Sequence, residues 1–371
     1  MSDINFNNLS YRPKVLVAPL EWGLGHATRC IPLITHLLAC NCIVLLAGDG
    51  ATKSLLQAEF PSLPFLPLQG YRIKYSKKKY LLGLKLFLQI PKVLRSIIKE
   101  HNWLKNVVER HKIDAVVSDN RFGLYNRKIF SIYITHQLTI KSQSRAGQYW
   151  ATKIHSFFIS KYDECWVPDF KVNGIAGLLS HPNILPAHVK YIGPVTRFKQ
   201  LPDVKILYDL MIIISGPEPQ RTILEAILLQ HLQTYIGNVL FIRGLPGKEE
   251  EIKDKYAHVC FKNHLSSEDL NLAMQQSSFI ISRSGYTTLM DLIKLRKKAI
   301  LIPTPGQTEQ EYLGQYVMEK KMFYSVSQQQ FSLISDLQNA YVFNFNLPEI
   351  DMTAFQKTID DFVHTLTIKH D

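Results

Sequence analysis

The sequence lacks the marks of several large protein classes. Its five cysteines, Cys30, Cys40, Cys42, Cys165 and Cys260, form no C-x-x-C pair. An odd number argues against a disulfide framework and against a structural zinc site, so free thiols in a reducing compartment are expected. No run of about 18 uncharged apolar residues occurs, so no membrane-spanning helix is expected. The opening M-S-D-I-N-F-N-N-L-S has no basic stretch followed by an apolar one, and no export signal is expected. There is no D-x-D to hold a nucleotide diphosphate through a metal. The phosphate loop G-x-x-x-x-G-K-[S/T] and the hydrolase elbow G-x-S-x-G are also missing. Acidic residues are few: 31 against 43 basic ones, a net charge of +12. That field favours nucleic acid, acidic lipid or phosphorylated ligands, without choosing among them.

What is present is an ordinary globular balance over 371 residues, with 46% hydrophobic and 20% charged, long enough for two domains. Apolar, β-branched runs at Lys14–Pro19, Cys42–Ala47, Ile113–Val117 and Ile129–Thr135 read as strands buried on both faces. Helical patterns lie between them at Thr28–Cys40, Ala51–Glu59 and Leu81–His111, where Pro91 is expected to split or end a helix. The alternation then restarts. Strands are expected at Leu210–Ser215, Val239–Arg243, Val259–Lys262, Phe279–Ser282 and Ala299–Pro303. Helices are expected at Arg221–Leu232, Ser267–Gln276, Thr288–Leu295 and Gln310–Lys320. Tyr191–Val204, with Gly193, Pro194 and Pro202, reads as a linker. The expected plan is an α/β domain over 1–195, a second over 196–350, and a tail, 351–371, whose helix at Met352–Ile368 returns to the first.

Four places could carry chemistry. W-G-L-G-H-A-T-R, from Trp22 to Arg29, follows the first strand and opens a helix. Gly23 and Gly25 allow close backbone approach, and His26 is expected in a loop at the strand's carboxyl end, where open α/β sheets bind ligands. Thr28 occupies the third position of a dinucleotide fingerprint, which disfavours that reading. Asp119, in S-D-N-R, ends another strand and could orient His26 as a base. Helix capping by His26 and turn capping by Asp119 are the plain alternatives. Ser215 to Arg221 contains a glycine turn at Gly216 before a helix, and Arg221 adds charge. Finally, I-S-R-S-G-Y-T-T-L-M-D, Ile281 to Asp291, puts Ser284, Gly285, Tyr286 and Thr287 ahead of a helix, a backbone cradle for diphosphate without a metal. Asp291, expected near that helix's first turn, could accept ribose hydroxyls or simply suit the helix dipole. Gln307, Gln310 and Glu311 could reach sugar hydroxyls or form a polar helix start.

Together these residues resemble those of the GT-B glycosyltransferases, in the group of glycosyltransferase family 28 that contains MurG. G-L-G-H at Gly23 to His26, R-S-G-Y-T-T-L-M-D at Arg283 to Asp291, and the segment Pro303 to Gln310 carry the likeness, in order and across both domains. The resemblance implies two Rossmann-like domains facing each other across a cleft, the first binding the acceptor and the second a nucleotide sugar. It implies that Asp291 holds the ribose of a UDP-sugar and that Ser284 to Thr287 line its diphosphate, with Arg283 or Arg197 nearby. Gln310 and Glu311 would contact the sugar, and Asn263, His264 and Leu265 would present backbone to the uracil. His26 with Asp119 would be the catalytic pair. Thr135-His136-Gln137 and the W-G-L-G-H-A-T-R variant point to a branch distinct from the peptidoglycan enzyme.

An inverting transfer is expected, with His26 as base and no metal or cofactor beyond the UDP-sugar co-substrate. The basic, leucine-rich stretch Tyr71 to Arg110, from Lys74, Lys77, Lys78 and Lys79 onward, suits an anionic membrane surface or a core-packing helix with a solvated lysine face. The acceptor is expected to be a small molecule or lipid-linked, and the enzyme cytoplasmic or peripheral on the inner face of the membrane. A UDP-sugar hydrolase or epimerase on the same fold stays open, as does a non-catalytic sugar-nucleotide or nucleic-acid binder. No nucleic-acid signature is present, so nucleic acid is not the expected partner.

Overall fold

A computed structural model describes residues 11–21, 24–71, 89–142, 144–186, 188–246 and 256–368. They fall into two compact units. One takes the described residues up to Val195 and the chain from Asp351 onward; the other takes Thr196–Ile350.

In the first unit, β1 (Lys14–Pro19), β2 (Ile43–Gly48), β3 (Phe65–Pro67), β4 (Ala115–Asp119), β5 (Phe130–Ile134), β6 (Glu164–Val167) and β7 (Val189–Tyr191) pair in parallel in the order β3-β2-β1-β4-β5-β6-β7. Helices α1 (Leu24–Ala39), α2 (Gly50–Glu59), α3 (Ile90–His111) and α4 (Arg145–Ile159) connect them. Alternate residues of β1 serve opposite faces, as the period of a strand requires. Val15 and Val17 pack with Ile31 and Ile34 of α1, whereas Leu16 and Ala18 pack with Leu104, Val107 and Val108 of α3.

The second unit repeats the plan. Here β8 (Tyr208–Ile213), β9 (Val239–Ile242), β10 (Val259–Lys262), β11 (Ser277–Ser282), β12 (Ala299–Leu301) and β13 (Tyr324–Ser325) form a parallel sheet ordered β10-β9-β8-β11-β12-β13. Helices α5 (Gln220–His231), α6 (Ser267–Gln275), α7 (Tyr286–Lys294), α8 (Thr308–Glu319) and α9 (Leu333–Val342) lie between or after its strands. Leu224 and Leu228 of α5 and Leu333 and Leu337 of α9 share one core with Ile212, Phe241 and Ile300 of the sheet. Both units are Rossmann-like.

The last helix, α10 (Ala354–Ile368), belongs to the first unit. Phe355, Ile359, Phe362, Val363 and Leu366 sit in the core that β1 and α1 build, and the Phe362 ring meets Trp166 edge-on at 5.6 Å and Phe130 at 5.7 Å.

Pro91 lies in the first turn of α3, the one place where a missing N–H costs nothing. Residues 81–88 of the expected helix, with Lys74, Lys77, Lys78 and Lys79, lie outside the described residues. The expected linker also begins inside β7, which ends at Tyr191.

Phe362→Ala should lower the stability of the first unit by about 3–5 kcal/mol, as truncation of a buried phenylalanine does. Chemical denaturation read through Trp166 fluorescence checks this; a loss under about 1 kcal/mol would contradict the docking of α10.

Candidate active site

In the first sheet the strand order reverses between β1 and β4, and open α/β sheets leave a crevice at such a point. Pro19 of β1 and Asp119 of β4 are register partners there. Gly25 and His26 lie in the first turn of α1, so His26 is helical and not in the expected loop. Trp22 and Gly23, the rest of that motif, are outside the described residues.

Asp119 is fully buried. Its Oδ1 accepts from His26 Nδ1 at 2.7 Å and from Arg29 Nη2 at 2.6 Å, and its Oδ2 accepts from Arg29 Nε at 2.8 Å. Burial alone would push this carboxyl up; Arg29 and His26 outweigh it and hold Asp119 well below the usual carboxylate range. A carboxylate can only accept, so in the neutral ring the His26 proton sits on Nδ1 and the lone pair on Nε2. Nε2 has no hydrogen-bond partner among the described residues, and the side chain stays 18% exposed. Asn120 Nδ2 also donates to Asp119 Oδ1, at 3.3 Å, and Arg29 Nη1 donates to His136 Nδ1 at 2.9 Å.

Arg29 is the residue that sequence reasoning missed. Its signal was the H-A-T-R spacing, which puts positions i and i+3 on one helix face. A second buried pair braces the same edge: Arg121 Nη1 donates to Glu100 Oε1 at 2.5 Å, and Arg121 Nε donates to the Pro19 carbonyl at 3.0 Å.

The second sheet reverses between β8 and β11, and the two expected donor motifs follow those strands. Gly216 has φ of 110°, a conformation closed to most side chains, so the turn after β8 requires glycine. Gly285 caps α7, whose first turn includes Tyr286 and Thr287 and holds no acidic residue, so its N–H groups and dipole suit an anion. Ser284 Oγ donates to the Gln310 carbonyl at 2.8 Å. Gln310 Oε1 accepts from Thr304 N at 2.9 Å, and Glu311 Oε1 accepts from Gly306 N at 3.0 Å. Those side chains shape the loop from Pro303 to Gln307, which is the residue that caps α8. A cleft of about 370 Å³ opens beside this loop, lined by Pro303, Glu311, Met318 and Gln328 among others; Glu311 alone of the expected residues borders it.

Three of the expected donor-site residues are engaged within the fold. Asp291 lies in the second turn of α7, buried, where its Oδ1 accepts from Thr196 Oγ1 at 2.6 Å. Burial pushes Asp291 up to about 6, against the opposing pull of Arg197 and Thr196. Arg283 is buried and points at backbone, donating from Nη1 to the Ile302 and Pro303 carbonyls and from Nη2 to the Gln220 carbonyl. Burial lowers it to about 10. Arg221 is held by Glu218 at 2.6 Å and Glu225 at 2.8 Å. Each sits where the strand–helix turns need a clamp. Arg197 Nη1 donates to Ser267 Oγ at 2.7 Å, while His264 and Leu265 are half-buried between β10 and α6. Around Gly216 the buried atoms Arg283 Nε, Gln220 Oε1 and Thr304 Oγ1 find no partner among the described residues. A Cβ on Gly216 would come to 3.7 Å from that Thr304 oxygen.

Residues 214–363 match the profile of the glycosyltransferase family 28 C-terminal domain. The chain is 22% identical over 304 residues, 81% of this chain and 79% of the relative, to the UDP-N-acetylglucosamine–N-acetylmuramyl-(pentapeptide) pyrophosphoryl-undecaprenol N-acetylglucosamine transferase of Clostridium tetani. Its fold is similar to that of the kitacinnamycin glycosyltransferase, with a TM-score of 0.60 at 12% identity over 96% of each chain. It is also similar to Acinetobacter baumannii MurG, with a TM-score of 0.54 at 13% identity over 96% of this chain and all of the other.

Asp119→Asn leaves the buried Arg29 charge without its counterion and should cost about 3–5 kcal/mol at neutral pH, measured by chemical denaturation. Asp291 works in the opposite sense. Its carboxyl is raised in the fold, so its contribution is complete below about pH 4 and is lost as pH rises through about 6. Each tenfold weakening of the acid in the fold corresponds to about 1.4 kcal/mol, so the loss is on the order of 3 kcal/mol. Asp291→Asn should therefore gain stability relative to the parent between pH 4 and 6.5; parallel pH–stability curves would refute the raised carboxyl.

Proposed function

We propose that this chain, a GT-B glycosyltransferase resembling the MurG group of family 28, transfers a sugar from a UDP-sugar to an acceptor hydroxyl with inversion and without a metal. The observation that carries the reading is the His26–Asp119 contact at 2.7 Å, with the carboxylate fully buried and the far ring nitrogen without a partner among the described residues. That is the arrangement of an oriented base. His26 Nε2 takes the proton of the acceptor hydroxyl, the oxygen attacks the anomeric carbon, and the bond from that carbon to the diphosphate breaks as UDP departs. A positioned base accounts for roughly 10²–10⁴-fold of rate.

The donor is held by the second unit. The N–H groups of Tyr286 and Thr287 at the start of α7, together with the Gly216 turn, receive the diphosphate, and the unpaired Thr304 and Arg283 atoms beside that turn favour an oxygen-rich ligand. The relative from Clostridium tetani bears the name of a UDP-N-acetylglucosamine–dependent transferase, which supports UDP as the nucleotide. Arg221 and Arg283 also hold the turns beside this cradle, and Asp291 accepts from Thr196.

The acceptor is proposed to be lipid-linked and met at an anionic membrane surface. No helix among the described residues is long and apolar enough to cross a membrane. An exposed aromatic and basic face supports a surface contact. On α4, Tyr149, Trp150, Ile154 and Phe157 are exposed, with Lys153 over Trp150 at 5.4 Å and Lys161 over Phe157 at 4.4 Å. Val93 and Ile97 of α3 and Phe158 of α4 pack into one cluster, which sets the exposed Leu94 and Ile98 beside that face. Aromatic and basic side chains mixed in this way suit a headgroup layer.

A thermal-shift series with UDP, GDP, dTDP, CMP and ADP tests the donor. UDP at 100 times its dissociation constant should stabilise by about 2.7 kcal/mol, by the same increment with and without EDTA; no response to any nucleotide would sink the reading. His26→Ala should lose roughly 10²–10⁴-fold of transfer while keeping that UDP response; undiminished turnover would remove His26 as the base. Trp150→Ala with Lys153→Glu should abolish flotation with anionic liposomes, and unaltered flotation would remove the α4 face as the contact.

A further inference from the structure

The far end of α1 carries a group of side chains that the transfer reaction does not use. His36 lies in the last turn of α1 and Cys40 directly follows the helix, its N–H donating to the His36 carbonyl at 2.9 Å. Asp360, from α10, faces both. Its Oδ1 lies 2.8 Å from His36 Nε2 and accepts from Cys40 Sγ at 3.3 Å. One nitrogen, one sulfur and one carboxylate oxygen thus lie within 4.8 Å of one another. We propose that His36, Cys40 and Asp360 bind one divalent cation of the zinc class, with water as the fourth ligand.

The donor set fits that chemistry. Imidazole, thiolate and carboxylate together suit zinc over magnesium or calcium, which take oxygen ligands. In a tetrahedral site with ordinary zinc bond lengths, neighbouring ligand atoms stand about 3.4–3.6 Å apart. The His36–Asp360 and Cys40–Asp360 pairs, at 2.8 and 3.3 Å, would each open by well under 1 Å, and the His36 and Cys40 atoms, within 4.8 Å of each other, would draw together, adjustments within side-chain torsions. Thiolate and carboxylate balance the cation's two charges. The negative end of the α1 dipole lies beside Cys40 and adds to the attraction. Burial is graded in a useful way: Cys40 is only 2% exposed, while the side chains of His36 and Asp360 keep 19% and 36% of their surface open. Sulfur forms the floor, and the open side leaves a path for the cation and room for water.

Without the cation the same residues make a different set of bonds. Burial, reinforced by Asp360, pushes the Cys40 thiol up, so it stays protonated and donates to that carboxylate. Cation binding exchanges the S–H bond for a sulfur–metal bond and sends the proton to water. The ligands come from residues 36, 40 and 360, so no spacing rule could group them, and the pairing exists only because α10 returns to α1. The cation would tie the end of the chain to the first unit. His36 follows His26 by ten residues, about 15 Å along a helix rising 1.5 Å per residue, so the cation takes no part in the transfer.

Cobalt(II) titration of the metal-stripped full-length protein tests the proposal. Cobalt should bind one to one, producing a thiolate-to-cobalt charge-transfer band in the near ultraviolet and the visible intensity of a four-coordinate site. Zinc should displace it and raise the melting temperature. Cys40→Ser should lose the charge-transfer band, and Asp360→Asn should weaken binding at least tenfold. Cys260→Ser, which removes the exposed cysteine, should retain the band. If Cys40→Ser does not fold, His36→Gln serves in its place, with loss of stoichiometric binding as its readout. No thiolate band in the parent protein, or a band that survives Cys40→Ser, would overturn the site and leave His36–Asp360 as a plain ion pair between helices.

Discussion

One buried carboxylate organises the first unit's functional edge. Asp119 ends β4 at the point where the sheet reverses order, and a lone charge could not remain there. Arg29 stabilises it with two hydrogen bonds, and His26 donates a third. The bond to His26 has a chemical consequence that the bonds to Arg29 do not. It fixes which ring nitrogen carries the proton, and so which one can receive another. The same carboxylate therefore anchors the start of α1 and, in the proposed reaction, prepares a base, and the two roles cannot be separated by removing it.

The second unit builds its edge differently. It relies on backbone: a glycine turn after β8, a helix start after β11, and a loop after β12 shaped by the Gln310 and Glu311 side chains. Its charged side chains mostly serve the turns. Arg283 holds three carbonyls in place, and Arg221 is paired with two glutamates. Such an arrangement presents N–H dipoles to an oxyanion with little reorganisation, which suits the diphosphate of the proposed donor. In the proposed reaction the labour divides: titratable chemistry in one unit, preorganised dipoles in the other.

Much of this was legible in the sequence. The long, β-branched runs gave β1, β2, β4, β5, β8, β9, β10, β11 and β12 to within a few residues, because strands buried on both faces must be continuously apolar. β3, β7 and β13 escaped notice, being edge strands of two or three half-exposed residues with too little pattern to read, and so did the interior strand β6, whose four residues, Glu164–Val167, are too short a run to stand out. α4 was hidden by its exposed aromatics, which break the polar face an amphipathic helix normally shows. His26 and Asp119 were paired correctly from their places at strand ends. Arg29 was not, because an arginine in a first turn reads as solvated until burial is known. Asp291 shows the converse limit. Its motif was visible, but it lies in the second turn of α7 and accepts from Thr196, almost a hundred residues earlier, a contact no local pattern shows.

The proposed chemistry rests on Asp119 setting the tautomer of His26. Nitrogen-15 NMR of histidine-labelled protein, with the His26 signal identified by its loss in His26→Gln, reads that tautomer directly. In the neutral ring, Nδ1 should be protonated and Nε2 bare, with an Nδ1 proton shifted far downfield by the short bond to Asp119. A ring protonated on Nε2, or a tautomer unchanged in Asp119→Asn, would contradict the assignment of His26 as the oriented base.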